Sequence, residues 1–282
     1  MLGRSGVGFR DVRGPNSRSC PNSCVRWSER ASSGGARLRA RRNQPGSKNR
    51  AGGPCAADTV PRAVGDERVS FDLVAPWYRT LERIAFGEDL QRCRVACLAE
   101  IATPRHALVV GEGNGRFLCE LLRLYPEVEV DCLDASERML RLARERVACE
   151  LPDCTKQVRF LHEDIMLWTA SEQRYDLVVT HFCLDCFAEE QLGEVVKKLA
   201  GVAADEANWL LADFCVPDEG MARIRARAWL TAMYVFFRVT ARIPAKTLVD
   251  PTPFLRAEGF ALAQQHLFRK GMLKSQIWRR NR

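Results

Sequence analysis

The sequence predicts an α/β fold, a mostly parallel sheet covered by helices on both faces. Three observations predict it. Short apolar runs alternate with amphipathic segments from residue 106 to residue 214, the pattern of crossover units that place helices on both sides of parallel strands. The first run ends directly in a glycine-rich turn. The composition, 46% hydrophobic and 28% charged, is that of a globular chain and excludes a wholly disordered polypeptide, a collagen-like fibre and a coiled-coil rod. No stretch of about 18 uncharged apolar residues is present, so no transmembrane helix is expected.

In chain order, residues 70–94 carry Phe71, Val74, Trp77, Tyr78, Leu81, Ile84 and Ala85 at helical spacing. Residues 106–110 read as a buried strand, 116–124 as a helix and 128–133 as a second strand. Residues 136–147 form a helix with Ser136 as N-cap and Met139, Leu140, Ala143 and Val147 on one face. Strands follow at 158–161 and 175–180, then a helix at 189–203 and a strand at 209–214. The dense aromatic stretch 221–243 includes Trp229, Leu230, Met233, Tyr234, Phe236, Phe237 and Val239, flanked by Arg223, Arg225, Arg227, Arg238 and Arg242. It reads as a core helix, as cover for an apolar acceptor pocket, or as a helix in peripheral contact with a membrane.

The net charge of +8 resides in the leader. Residues 1–62 hold 13 basic and 3 acidic residues, and the remainder holds 30 and 32. The segment 1–66 is rich in Arg, Ser, Gly and Pro and is expected to be disordered, with an ordered domain over 67–282. Its composition fits either a mitochondrial presequence or a non-functional extension. A cytoplasmic location is expected, or a mitochondrial one on the presequence reading. The 12 cysteines are scattered, which suits a reducing compartment rather than a disulfide framework. Cys183-x-x-Cys186 with His181 is half of a zinc set with no second pair at matching spacing, so no metal is expected.

The most informative stretch is Val109-Val110-Gly111-Glu112-Gly113-Asn114-Gly115-Arg116, between a strand and a helix. No Gly-Lys-Ser/Thr follows, so it is not a P-loop, and its G-x-G-x-G spacing differs from the dinucleotide fingerprint. Glycines there let a ligand approach the backbone closely. Asp134 ends the next strand, where a carboxylate accepts hydrogen bonds from a ribose diol or else caps the following helix. Asp164 and Ile165 follow the third strand, placed to meet an exocyclic amine and a purine face.

These residues, in this order, resemble the class I S-adenosylmethionine-dependent methyltransferases over roughly residues 70–282. The resemblance implies a Rossmann-like seven-stranded sheet whose last strand is antiparallel, with 260–268 and 271–278 as the closing hairpin. It implies S-adenosylmethionine as cofactor. Gly111, Gly113 and Gly115 would flank its methionine part, Asp134 and the adjacent Ala135 its ribose, and Asp164 and Ile165 its adenine, with Thr180 at the end of the fourth strand also beside it. Val109 stands where many members are acidic, and Glu112 is expected to hold the methionine amino group. Residues 70–78 with Cys93-Arg94 are similar to quinone-biosynthesis C-methyltransferases, which places Tyr78 near the cofactor; the segment 181–187 differs from theirs.

Methyl transfer needs alignment and exclusion of water, and a base only when the nucleophile carries a proton. His181 and Asp185, beyond the fourth strand, are the candidate catalytic residues; alternatively His181 lines the pocket and Asp185 caps a helix. The acceptor is expected to be a small apolar or aromatic molecule. A nucleic-acid methyltransferase is the second reading, but Thr180-His181-Phe182-Cys183 lacks the Asn/Asp-Pro-Pro-Tyr/Phe signature, and no nucleic-acid partner is expected from the near-neutral body. A third reading is a non-catalytic binding module on the same fold.

Overall fold

The structure, a computed structural model, describes residues 87–169, 174–217, 219–240, 245 and 247–280. The leader 1–66, Tyr78 and Arg242 lie outside the described residues, as do the side chains of Phe237, Arg238 and Val239. Helix α1 (Asp89–Val95) precedes strand β1 (His106–Val110). Then come α2 (Arg116–Leu124), β2 (Glu129–Asp134), α3 (Glu137–Glu150), β3 (Val158–His162), β4 (Tyr175–His181), α4 (Glu189–Val202) and β5 (Ala203–Phe214). The chain ends with α5 (Gly220–Thr240), α6 (Thr252–Ala257), β6 (Phe260–Phe268) and β7 (Leu273–Arg280).

The seven strands lie in the order β3-β2-β1-β4-β5-β7-β6. The first five pair in parallel, and β7 runs antiparallel to both β5 and β6. Alternation of side chains along the strands divides the core in two. Val109, Cys132, Leu177, Val179 and Leu210 meet Phe117, Leu118 and Leu121 of α2 and Leu140 and Val147 of α3 on one face. Leu108, Leu133, Val178, Trp209 and Trp278 meet Leu192, Val195, Val196 and Leu199 of α4 on the other. Ser136 caps α3 by accepting from the Met139 amide at 3.2 Å.

Strand β5 begins at Ala203, directly after α4 ends, so it is longer than the 209–214 expected. Ala-Ala-Asp-Glu-Ala-Asn at 203–208 has little strand propensity; Ala203 pairs with Tyr175 and Asn208 with Leu177, so the extra residues between them bulge from β5. The helix-to-strand switch is secured by Arg280, whose guanidinium donates to the Ala200 and Ala203 carbonyls at 2.8 Å. This satisfies acceptors that a helix end otherwise leaves open.

Helix α5 is a core helix on one face. Ala226, Leu230, Met233 and Tyr234 are buried, the last three packing with Leu90, Cys93, Ala212, Phe214 and Leu273. Its opposite face exposes Met221, Ile224, Val235 and Phe236. Among the described residues, no helix is long and apolar enough to cross a membrane.

Candidate active site

The site forms where β1 gives way to α2, at the carboxyl edge of the parallel strands, the usual ligand position in an open α/β sheet. Gly111, Gly113 and Gly115 all have positive φ, between 68° and 82°, a region that L side chains rarely enter. Two of them are also sterically demanded. A Cβ at Gly111 would lie 2.8 Å from Cys183 Sγ, and one at Gly115 would lie 2.8 Å from the backbone of Ala143. Gly115 therefore lets α2 start against α3. Gly113 differs, since among the described residues nothing lies within 4 Å of a Cβ built there. Its backbone faces open space, as a loop that receives a ligand requires.

Asp134 meets this loop. Its Oδ2 accepts from the Gly113 amide at 3.3 Å and its Oδ1 from the Ser136 amide at 2.9 Å. The helix-capping role belongs to Ser136, so the alternative reading of Asp134 as the cap of α3 is corrected. Asp164 is half-buried and accepts from the Met166 amide at 2.9 Å. Ile165 beneath it is buried in the core beside α4, and its carbonyl accepts from Lys198 Nζ at 2.9 Å. Ala135 is exposed, and its carbonyl contacts His162 Nε2 at 3.1 Å.

A small cavity is lined by Arg94, Gly111, Glu112, Gly113, Asn114, His181 and Phe182. Glu112 is turned partly into the fold: its Oε1 accepts from the Phe117 and Leu118 amides at 3.0 and 3.1 Å. It thus satisfies donors at the start of α2. Burial still pushes its carboxyl up to about 7, against the pull of those amides and of Arg94. A carboxyl whose folded pKa is raised gives stability that is fully present below its unfolded pKa, near 4.5, and is lost as pH rises through 7. Glu112→Gln, which keeps an oxygen for the two amides, is expected to flatten the fall in melting temperature of the cofactor-free protein between pH 4.5 and 7.5. Parallel melting curves for the two proteins would contradict this electrostatic reading.

His181 ends β4 and is buried. Its ring stands edge-on to Phe117 at 4.4 Å, and Nδ1 has no hydrogen-bond partner among the described residues. Burial, with Arg94 nearby, holds its pKa well below 6.5, so the imidazole is neutral. Thr180 stands one residue earlier in β4. It points to the opposite sheet face, fully buried, and its hydroxyl accepts from Trp209 Nε1 at 2.8 Å.

Asp185 does not cap α4, whose N-cap is Ala188. It is buried in the short turn Leu184–Cys186 and does not line the cavity. Burial raises its carboxyl to about 6; burial first, and then the charge of Asp185, push the Asp213 carboxyl well above its ordinary value. Asp213 is wholly buried, with Oδ1 accepting from the Phe214 amide at 2.7 Å.

Arg94 and Phe182 were not expected at the site. Arg94 is buried in the last turn of α1, with its guanidinium 5.2 Å from the centre of the Phe182 ring. A basic residue in a helix is ordinary in sequence, and only the fold brings it to the glycine loop. Phe182 adopts φ of 51°, a strained conformation for a bulky residue. Its ring packs on Phe214 at 5.1 Å, and Phe214 stacks on Trp229 at 6.5 Å.

The glycine loop, the strand-end carboxylate of Asp134 and the buried Arg94 thus stand together at the carboxyl edge of the sheet. Residues 107–206 match the family described as "Methyltransferase domain". The chain is similar to the demethylmenaquinone methyltransferase of Deinococcus radiodurans, 27% identical over 67% of this chain and 83% of the relative. Among solved structures it resembles a mitomycin 7-O-methyltransferase, with TM-score 0.56 and 14% identity over 75% of this chain. It spans 61% of that enzyme's length. It also resembles magnesium protoporphyrin IX methyltransferase from Synechocystis PCC 6803, solved with bound S-adenosylhomocysteine (TM-score 0.53, 17% identity, 75% of this chain and 96% of that one). The chain carries a methyltransferase domain over residues 107–206 and is an S-adenosylmethionine-dependent methyltransferase, with S-adenosylmethionine as its cofactor.

Proposed function

We propose that the enzyme methylates a small, apolar, aromatic acceptor, and that residues of the cavity grip the cofactor in the following way. Arg94 takes the carboxylate of the methionine end and Glu112 its ammonium, since this cavity pairs a buried cation with a buried carboxyl. Gly111 and Gly113 offer their backbone to the methionine chain. Asp134 holds the ribose hydroxyls with Ala135 beside it, and Asp164 and Ile165 receive the adenine. The cofactor supplies a methyl group on a positively charged sulfur, ready for in-line displacement. The protein's task is alignment of the nucleophile and exclusion of water.

The observation that carries the acceptor assignment is the row of aromatic rings Phe182, Phe214 and Trp229, which starts at the cavity wall and runs to α5. Such rings favour a flat apolar partner. One relative is named for demethylmenaquinone and one structural neighbour for mitomycin. His181 presents a neutral ring beside the glycine loop. It orients the acceptor and accepts a proton where the nucleophile carries one; Asp185 lies away from the cavity, with its carbonyl accepting from the Tyr234 hydroxyl of α5 at 3.2 Å.

Transfer of labelled methyl from S-adenosylmethionine to a panel of hydroxylated and quinonoid aromatics, with transfer RNA and duplex DNA as competing acceptors, tests this. Label is expected on aromatics and not on nucleic acid. Phe182→Ala is expected to lower kcat/KM for the aromatic by roughly 10- to 100-fold, the loss of about 1.5–3 kcal/mol of apolar contact, while cofactor affinity changes far less. Transfer to nucleic acid alone, or an unaltered kcat/KM in the variant, overturns the assignment.

A further inference from the structure

We propose that Cys97, Glu100 and His266 form a zinc(II) site, separate from the cofactor cavity. Cys97 and Glu100 are three residues apart across the 3₁₀ turn Leu98–Glu100, and that spacing puts two side chains on one side of a 3₁₀ turn. The turn is fixed from behind by the Tyr125 hydroxyl, which donates to the Leu98 and Ile101 carbonyls at 2.9 and 3.3 Å. His266 comes from β6, directly opposite Ser275 of β7, and the Ser275 hydroxyl donates to Cys97 Sγ at 3.3 Å. One thiol sulfur, one carboxylate oxygen and one imidazole nitrogen thus lie within 4.8 Å of one another.

Tetrahedral zinc holds its ligands at about 2.0–2.3 Å, so ligand atoms sit roughly 3.3–3.8 Å apart. His266 Nε2 and Glu100 Oε1 are already 3.2 Å apart, and Sγ needs only a small inward movement. The donor set selects the metal. Sulfur with nitrogen and a single carboxylate suits a borderline dication, whereas magnesium and calcium require all-oxygen shells. His266 Nε2 lies 3.2 Å from the Gln264 amide nitrogen as well as from Glu100. One ring nitrogen cannot both donate to Glu100 and accept from that amide, and a cation between nitrogen and carboxylate removes the conflict once the amide turns aside. Cys97 is buried, while the Glu100 and His266 side chains are 33% and 39% exposed, which gives the ion a route from solvent. On binding, the Cys97 thiol gives its proton to solvent and bonds as thiolate, and water completes the fourth position. The ion ties the segment after Arg94 to the β6–β7 hairpin. Glu100 and His266 are 166 residues apart, so no ligand spacing is visible in the sequence.

The test uses the full chain, reduced and stripped with chelator, titrated with zinc chloride alone. Calorimetry is expected to show one tight equivalent. Cys97→Ser and His266→Gln are each expected to weaken it by about 100-fold or more, beyond the effect of losing an outer-shell partner. With cobalt(II) in place of zinc, a thiolate-to-metal absorption band is expected to vanish in Cys97→Ser and to persist when Cys183 and Cys186 are both changed to serine. Absence of a tight equivalent, or its retention in both single variants, overturns the proposal. If Cys97→Ser does not fold, His266→Gln, which opens no core cavity, decides alone.

Discussion

Gly115→Ala is expected to destabilise the domain by about 2–5 kcal/mol. Two costs add. The residue has φ of 82°, and a left-handed conformation costs a residue with a Cβ roughly 1–2 kcal/mol. The added methyl would stand 2.8 Å from Ala143 Cα and 3.1 Å from its Cβ. Relief requires α2 and α3 to separate, which is overpacking worth about 1–3 kcal/mol. Each kcal/mol lowers Tm by roughly 2–4 °C in a domain of this size, so a thermal melt without cofactor should show a loss of about 5–15 °C. Gly113→Ala is the control. It carries a similar φ penalty at 74° with no atom of the described residues in the way, so its stability loss should be about 1–2 kcal/mol, while its methyl enters the space assigned to the cofactor. Equal losses in the two variants would mean that packing of α2 on α3 is not what requires glycine at 115.

Asp134→Ala is expected to weaken S-adenosylmethionine binding by about 1–3 kcal/mol, or roughly 5- to 150-fold in Kd, the range for removing a charged hydrogen-bonding partner. The carboxylate has two linked roles. It holds the Gly113 and Ser136 amides, which fixes the loop, and it presents acceptors at the end of β2 for a ribose diol. Asp134→Asn separates them, since an amide oxygen keeps one backbone contact but loses the charge and half of the accepting capacity. Calorimetric titration of both variants should therefore rank wild type above Asn above Ala. Affinity equal to wild type in Asp134→Ala would refute the ribose assignment.

Local signals were readable from sequence and tertiary ones were not. The run His-Ala-Leu-Val-Val gave β1 at 106–110, and α2 at 116–124 also matches the structure, because a continuous apolar run and an amphipathic turn each have one satisfactory placement. The loop at 111–115 and Asp134 were legible for the same reason, as they lie within one crossover unit. The first half of β5 was not, because its polar, alanine-rich residues carry little strand signal, and Ala203 is fixed by Tyr175 across the sheet and by Arg280 from β7. Arg94 escaped because α1 meets the loop only in the folded chain. Strand alternation sends the His181 side chain to the cavity and that of its neighbour Thr180 into the core, a division that the run of residues at the strand end does not by itself reveal.

The central claim is that the turn at 111–115 and the carboxylate of Asp134 grip the cofactor together. A crystal structure of the full chain with S-adenosylhomocysteine tests it most directly. The account predicts the amino acid end between Arg94 and Glu112, the ribose hydroxyls on Asp134 and the adenine beside Asp164. A nucleoside bound at any other edge of the sheet, with Asp134 making no contact to it, would contradict the account.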